Sequence, residues 1–452
     1  MAGCYFLEML DGTIVTTSAP KLARALGVTI ASTGLLITAY LVTLAVLIPL
    51  SGWLAARVGT RAAFLGAIVV FTLGSVGCAA SANLTELVLM RVLQGAGGAM
   101  MVPVGRLLVL TRADNSNLMR LTALLVWPAL IAPVFAPLAG GLITTYANWH
   151  WLFLINVPLA AIAFTVGFRI VDAPPLADPG PLDKAGVVLT GLGLGGLTFT
   201  ASLLADAHAS YPLLAGLGVC SVALVTASVR HLDRVPAPLV DLRLLRIDTL
   251  RSALAGTGLY FCAMSAAPFL APLLFEEVFH WSAVKAGALV LFIFVGNIGF
   301  KPTTSYVYSR FGFKPVLIVS TAVMALDLAV LGVIGAGIAV WALGFLLLVN
   351  GAARSIGATG YATVVFTDVS PSEMHHANTL QATVQQLAGG LGVALSAIAL
   401  RAGEPVSRLF AAAPSRHATY TFAFAVMALI SALAAAGACV MRSGAGDALR
   451  ER

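Results

Sequence analysis

Two carboxylates stand in an otherwise apolar stretch near the start of the chain. In Glu8-Met9-Leu10-Asp11-Gly12-Thr13-Ile14-Val15 they are three residues apart, which places Glu8 and Asp11 on one helix face with Gly12 and Val15. Ionisable groups within apolar spans are costly and mostly functional. Two acids this close in a low dielectric cannot both hold a negative charge easily, so at least one is expected to carry a proton. The plainer alternative is a hydrogen bond to a neighbouring helix. A second site candidate is Arg91-Val92-Leu93-Gln94-Gly95-Ala96-Gly97-Gly98, whose spacing puts Arg91, Gln94, Gly95 and Gly98 on one face. Small residues there bring an adjacent helix close, and Arg91 then needs a carboxylate or carbonyls. Glu8 or Asp11 is the natural partner; a fixed structural ion pair is the other reading.

Further candidates are conformational. Gly52-Trp53-Leu54-Ala55-Ala56-Arg57-Val58-Gly59-Thr60-Arg61 reads as a tight loop, with Gly59 at the turn and Arg57 and Arg61 as cytoplasmic anchors or gating charges. Pro128, Pro133 and Pro137 precede Gly140-Gly141, a pattern for a bent helix that serves as hinge or seal. Lys301 and Arg354 fall inside later spans and are candidate gating or substrate-site charges, while Asp327 reads as a local partner.

The elements that must position these residues are apolar helices. The chain has 452 residues, 59% hydrophobic and only 10% charged, where a soluble domain carries roughly 25% charged residues. Lipid is therefore the solvent of most of its surface. Fourteen spans are expected, at 2–22, 33–55, 62–82, 86–108, 119–143, 151–171, 185–205, 212–230, 252–275, 284–308, 315–335, 338–366, 379–400 and 419–441. With the amino terminus inside, 17 Lys and Arg fall on cytoplasmic segments against 6 on outer ones, which places both termini in the cytoplasm. The sequence also repeats. Arg57-Val58-Gly59-Thr60-Arg61 recurs as Arg310-Phe311-Gly312-Phe313-Lys314, Leu93-Gln94-Gly95 as Val349-Asn350-Gly351, and Leu138–Leu142 as Leu387–Leu391, at offsets of 253, 256 and 249. The expected plan is an N-terminal six-helix bundle at 1–171, an inserted helix pair with linkers at 172–250, a C-terminal six-helix bundle at 251–441 and a cytoplasmic tail at 442–452.

Several chemistries are excluded or set aside. The net charge of +7 is dispersed between apolar spans, so it reads as topology signal and not as a nucleic-acid surface. The five cysteines are scattered and suit neither disulfides nor metal. Gly191-Leu192-Gly193-Leu194-Gly195-Gly196 satisfies a dinucleotide pattern but lies within an apolar span, where helix packing is the better reading. Asp368, Glu373, His375 and His376 match no zinc spacing, and Asn83-Leu84-Thr85 is a sequon by pattern alone. Neither a phosphate-binding loop nor a hydrolase motif is present, so no enzyme and no cofactor is expected.

At these residues the chain resembles the 14-spanner drug:proton antiporters of the major facilitator superfamily, the EmrB/QacA type, over essentially its whole length. Leu10–Val15 with Ala19-Pro20 is similar to that family's L-D-x-T-I-V-N-x-A-L-P, and Arg91–Gly98 to its R-x-x-Q-G-x-G. Gly52–Arg61 resembles G-x-L-A-D-R-x-G-R-R, Pro137–Gly141 resembles G-P-x-x-G-G, and Trp149–Pro158 resembles W-R-W-x-F-x-I-N-x-P. The resemblance implies an all-α polytopic fold of two six-helix bundles plus two inserted helices. It also implies proton-driven efflux of small, largely apolar or amphipathic compounds by alternating access, in a bacterial inner membrane. The expected partners are the substrate, protons and the lipid bilayer, with a periplasmic adaptor and outer-membrane channel also in view, and the expected state is a monomer. A nutrient symporter and a non-transporting membrane sensor remain open alternatives. Ala56 departs from the family's Asp, and Thr16 from its Asn. Because that Asp helps latch the outward-facing state, Ala56 is expected to favour the inward-facing one.

Overall fold

The computed structural model describes residues 2–28, 30–110, 121, 124, 131–132, 135–136, 139–140, 142–143, 146–171, 181–204, 211–236, 238–370, 373–410 and 416–441. Among them helices dominate and no strand occurs. Lipid offers no hydrogen-bond partners, so a spanning segment must satisfy its own backbone, which a helix does.

The first group comprises α1 (Ala2–Leu26), α2 (Ile30–Leu47), α3 (Leu50–Val58), α4 (Thr60–Ala80), α5 (Leu84–Leu110), α6 (Trp151–Leu154) and α7 (Asn156–Ile170). The second comprises α8 (Lys184–Leu204) and α9 (Tyr211–Arg234). The third comprises α10 (Asp248–Met264), α11 (Ala266–Glu277), α12 (Ala283–Phe300), α13 (Thr304–Phe311), α14 (Phe313–Val333), α15 (Val340–Val364), α16 (Met374–Phe410) and α17 (Arg416–Val440). Helices of the first group pack chiefly on one another through α4–α5, α2–α5, α1–α2 and α4–α7. Those of the third do so through α14–α17, α12–α15 and α10 with α16 and α17. The α8–α9 pair is joined to both, since α8 lies on α2 and on α16.

Ten helical stretches among the described residues are long and apolar enough to cross a membrane, and α2 with α3 makes an eleventh when counted as one span bent by 61°. Pro49 sits at that break, where it cannot donate the backbone hydrogen bond a continuous helix needs. Helices α1 and α8 occupy the first and seventh expected spans. The fifth, 119–143, lies largely outside the described residues, so the count of fourteen stands as an expectation.

Two of the three sequence repeats have matching conformations. Gly59 has φ 86° between α3 and α4, and Gly312 has φ 83° between α13 and α14. A side chain is strained in that left-handed region, so glycine is what lets a short helix turn directly into a 21-residue span at both places. Gly95 faces Tyr40 and Thr43 of α2, while Gly351 faces the Ile293 carbonyl of α12, so the two glycines seat equivalent helix crossings. The third repeat includes positions outside the described residues.

Candidate ion-pair site and inter-half contacts

Helix α1 carries Asp11 inward against α5, α7 and the middle of α4. Gly74 and Gly97 bring α4 and α5 close together beside it, because a Cβ at Gly74 would meet the Gln94 backbone and one at Gly97 the Phe71 backbone. Asp11, Arg91, Gln94 and Asn156 are all fully buried. The Nη1 of Arg91 donates to Asp11 Oδ2 at 2.5 Å and to Gln94 Oε1 at 2.7 Å, and its Nε donates to the Leu36 carbonyl at 3.2 Å. The other carboxylate oxygen, Asp11 Oδ1, accepts from Gln94 Nε2 and from Asn156 Nδ2, each at 2.8 Å. Ser75 completes the cluster, its hydroxyl accepting from Gln94 Nε2 at 2.8 Å. The guanidinium also lies over the Tyr40 ring at 4.4 Å.

A buried ion pair of this kind is held by its hydrogen bonds, since Coulomb attraction alone barely offsets the desolvation of two charges. Protonating Asp11 removes one of the two charges and weakens the pairing on both oxygens at once. Of the two expected partners, the arginine takes Asp11. Glu8 stands apart, with its Oε2 buried and without a hydrogen-bond partner among the described residues. Asn156 was not singled out from the sequence as a site residue. Its signal was present, because it is the Asn of the Trp149–Pro158 motif, but neither spacing nor residue type ties it to a helix 145 residues away.

The loop candidates lie at the end of the bundle that carries the Gly59 and Gly312 turns. Gly52 is in close contact with Thr379 of α16, whose hydroxyl a Cβ at 52 would strike. Arg61 donates to the Phe168 carbonyl at 2.7 Å and lies over the Phe168 ring, which pins the loop to α7. Ala56 is buried. At the same end two hydrogen bonds join the first helix group to the third. Arg106 Nη2 of α5 donates to the Ala362 carbonyl in the last turn of α15 at 3.0 Å, and Asn378 Nδ2 of α16 donates to the Pro103 carbonyl at 3.0 Å. Arg106 also stacks over Phe366. Arg106 falls near the end of the expected 86–108 span, and the structure buries it between the two groups. Of the helix-five hinge, Pro128, Pro133, Pro137 and Gly141 lie outside the described residues, and Gly140 is buried.

Lys301 and Arg354 are brought together neither with each other nor with the Asp11 cluster. Lys301 Nζ donates to Thr359 Oγ1 at 2.7 Å, and Arg354 donates to the Met264 carbonyl within the third helix group. Gly193 packs against the Val225 backbone and Gly196 against Ser221, Asn83 caps α5 through the Glu86 amide, and no metal-binding group of His, Cys, Asp or Glu occurs among the described residues.

Comparison with known proteins adds to this geometry. Residues 1–393 match the family model described as Major Facilitator Superfamily. A protein of Serratia proteamaculans named for multidrug resistance, MdtD, is 33% identical over 438 residues, spanning 95% of this chain and 90% of that protein. Its namesake in Citrobacter koseri is 32% identical over 434 residues, spanning 95% and 91%. Among solved structures, the human organic anion transporter MFSD10 superposes with a TM-score of 0.68 at 14% identity, covering 97% of this chain and 98% of that one. The proton:xylose symporter XylE gives 0.63 at 14% identity, covering 96% and 93%. At such identities these two structures speak for the fold alone.

Proposed function

Because the chain belongs to the major facilitator superfamily, and is thus a multi-pass membrane transporter and not an enzyme, we propose that it exports small apolar or amphipathic compounds in exchange for protons. The observation that carries this reading is the buried Asp11–Arg91 pair, in which Arg91 donates to one carboxylate oxygen while Gln94 and Asn156 donate to the other. A proton reaching Asp11 from the outer side neutralises the acid and loosens its hold on Arg91. The halves 1–171 and 251–441 then rock about the cavity between them, and the proton leaves to the cytoplasm. Each charge moved is driven by about 2.3 kcal/mol per 100 mV in addition to the pH gradient. The namesake relatives support drugs as the substrate class.

The charge asymmetry supports cytoplasmic termini, and that orientation puts the Gly59 and Gly312 turns inside. The Arg106–Ala362 and Asn378–Pro103 bonds then close the cytoplasmic side, as in the state that waits for an outer proton.

The test is transport in proteoliposomes carrying an imposed pH gradient, with ethidium as probe and a pH dye inside. Antiport moves protons against the dye flux. Proton movement in the same direction as the substrate would make the protein a symporter, and no coupled movement across a drug panel would remove the transport reading.

A further inference from the structure

A carboxylate that the mechanism above does not use lies buried in the C-terminal helices, and the internal repeat shows what is unusual about it. Helix α14 stands to α15 as α4 stands to α5, at offsets of 253 and 256 residues. The register sets Asn350 against Gln94, Gly351 against Gly95 and Leu347 against Arg91, and brings Asp327 to the level of Gly74 and Ser75. In the first half the buried amide of Gln94 bonds a carboxylate whose charge Arg91 balances. In the second half the buried amide of Asn350 also bonds a carboxylate, Nδ2 to Asp327 Oδ2 at 2.6 Å, but fully buried Leu347 stands where the arginine would be.

The hydrogen bonds around Asp327 are one donor short. Asp327 is 2% exposed and Asn350 is fully buried. The amide nitrogen of Asn350 is committed to Asp327 Oδ2 and to the sulfur of Met324 at 3.3 Å. Asp327 Oδ1 and Asn350 Oδ1 are both buried acceptors without a donor among the described residues. An ionised carboxylate here would be a bare charge in an apolar interior, a far greater cost than one unmade hydrogen bond.

The other titratable groups on the helices packed against α14 lie elsewhere. On α17, His417 is held on the Ile334 carbonyl and Tyr420 on Glu277 of α11, with Arg416 beside it, all beyond Gly332. Cys439 is exposed near the opposite end of α17. Between Phe424, which faces Gly332, and Ser431, which bonds the Thr321 carbonyl, α17 offers buried Met427 and Ala428. Arg354 of α15 lies a turn past Asn350 and donates to Met264, with Tyr361 farther on; Tyr306, Tyr308 and Arg310 of α13 precede the Gly312 turn at the far end of α14. Glu276 stands beside Glu277 at the end of α11.

We infer that Asp327 and Asn350 form a second proton-binding site, in which the Asp327 carboxyl carries a proton in this conformation and donates it within the pair. One proton supplies the missing donor and removes the unbalanced charge, the part Arg91 plays in the other half. The inference concerns the bound proton and is independent of which compounds the protein exports and in which direction.

Infrared spectroscopy of the purified full chain in lipid, at neutral pH, reads this directly. In the Glu8→Gln, Asp11→Asn double variant the carbonyl stretch of a protonated acid should be present and shift in D2O, and adding Asp327→Asn should remove it. Should Asp327→Asn fail to fold, carbon-13 labelling of aspartate in that double variant replaces it, and the acid band should move with the label. An acid band unaffected by Asp327→Asn, or by the label, means that Asp327 is ionised and overturns the site. Loss of transport in the double variant with the Asp327 band intact would bear on the export mechanism and leave this site standing.

Discussion

At the scale of single residues, Asp11 and Arg91 do different work although they touch. Asp11→Asn keeps the shape and a hydrogen-bonding group at the position but cannot be ionised, so expression should persist while gradient-driven efflux is abolished. Retained coupling in both Asp11→Asn and Glu8→Gln would take the proton carrier off this helix. Arg91→Leu, by contrast, strands a buried carboxylate together with the amides aimed at it, and removing one partner of such a pair costs about 3–5 kcal/mol. It should lower the thermal unfolding midpoint, and adding Asp11→Asn should recover most of that loss without restoring transport. Much of this site was legible in the sequence because a charge within an apolar run is conspicuous: Asp11, Arg91 and Gln94 all announce themselves by type and spacing. Asn156 and Ser75 do not, since a lone Asn or Ser in a helix has many bland uses and only the fold brings α4 and α7 to α1. Arg106 was obscured for a different reason: one residue near a span end cannot be assigned to loop or interface without knowing what packs over it.

At the scale of helices, the glycines differ in how closely a neighbour's backbone approaches them. A Cβ at Gly351 would strike the Ile293 carbonyl and the Asn297 amide outright, whereas one at Gly95 would meet the Thr43 side chain at 3.0 Å and the Tyr40 carbonyl at 3.1 Å. A hard overlap with backbone forces the helices apart, while a contact at the latter range needs only a small shift, so Gly351→Ala should reduce the yield of folded protein severalfold and Gly95→Ala much less, as read by size-exclusion chromatography of detergent extracts. The inserted pair makes a separate prediction. Reporter fusions near 208 should read as outside and those near 240 as cytoplasmic, and the opposite pattern would remove α8 and α9 as a hairpin through the bilayer. Helix existence was readable from apolar runs of sufficient length, and the two-fold plan from the repeats at near-constant offset. The break at Pro49 was not, because the apolar run from 33 to 55 continues through it and hydropathy is blind to direction.

At the scale of the whole molecule, the balance between the two faces of the transport cycle turns on what holds the halves together at the Gly59 end. The family's loop carries an acid where this chain has Ala56, which led to the expectation of a weak latch. Residue 56 is a buried alanine, yet that end is joined by Arg106 to Ala362 and by Asn378 to Pro103. Both bonds involve groups that the loop motif does not include. A guanidinium in the last turn of α15 also meets the negative end of that helix. A charge-assisted bond of this type, shielded from water, contributes about 1–3 kcal/mol. Alternating access requires two states within a few kcal/mol, so a term of that size shifts their populations by roughly 5- to 150-fold. Arg106→Gln should therefore move the protein towards the inward-facing state, since the amide reaches the Ala362 carbonyl less well and carries no charge. Ala56→Asp, which restores the family's acid, should move it outward. Single cysteines at the inner and outer mouths of the cavity, in a background without the five native ones, report the shift by thiol labelling. Inner labelling should rise in Arg106→Gln and fall in Ala56→Asp, with the outer site changing in the opposite sense. If Arg106→Gln leaves both rates unchanged, its bond to Ala362 is incidental to gating; if Ala56→Asp alone changes them, the loop acid is the latch, and its absence leaves this transporter biased inward.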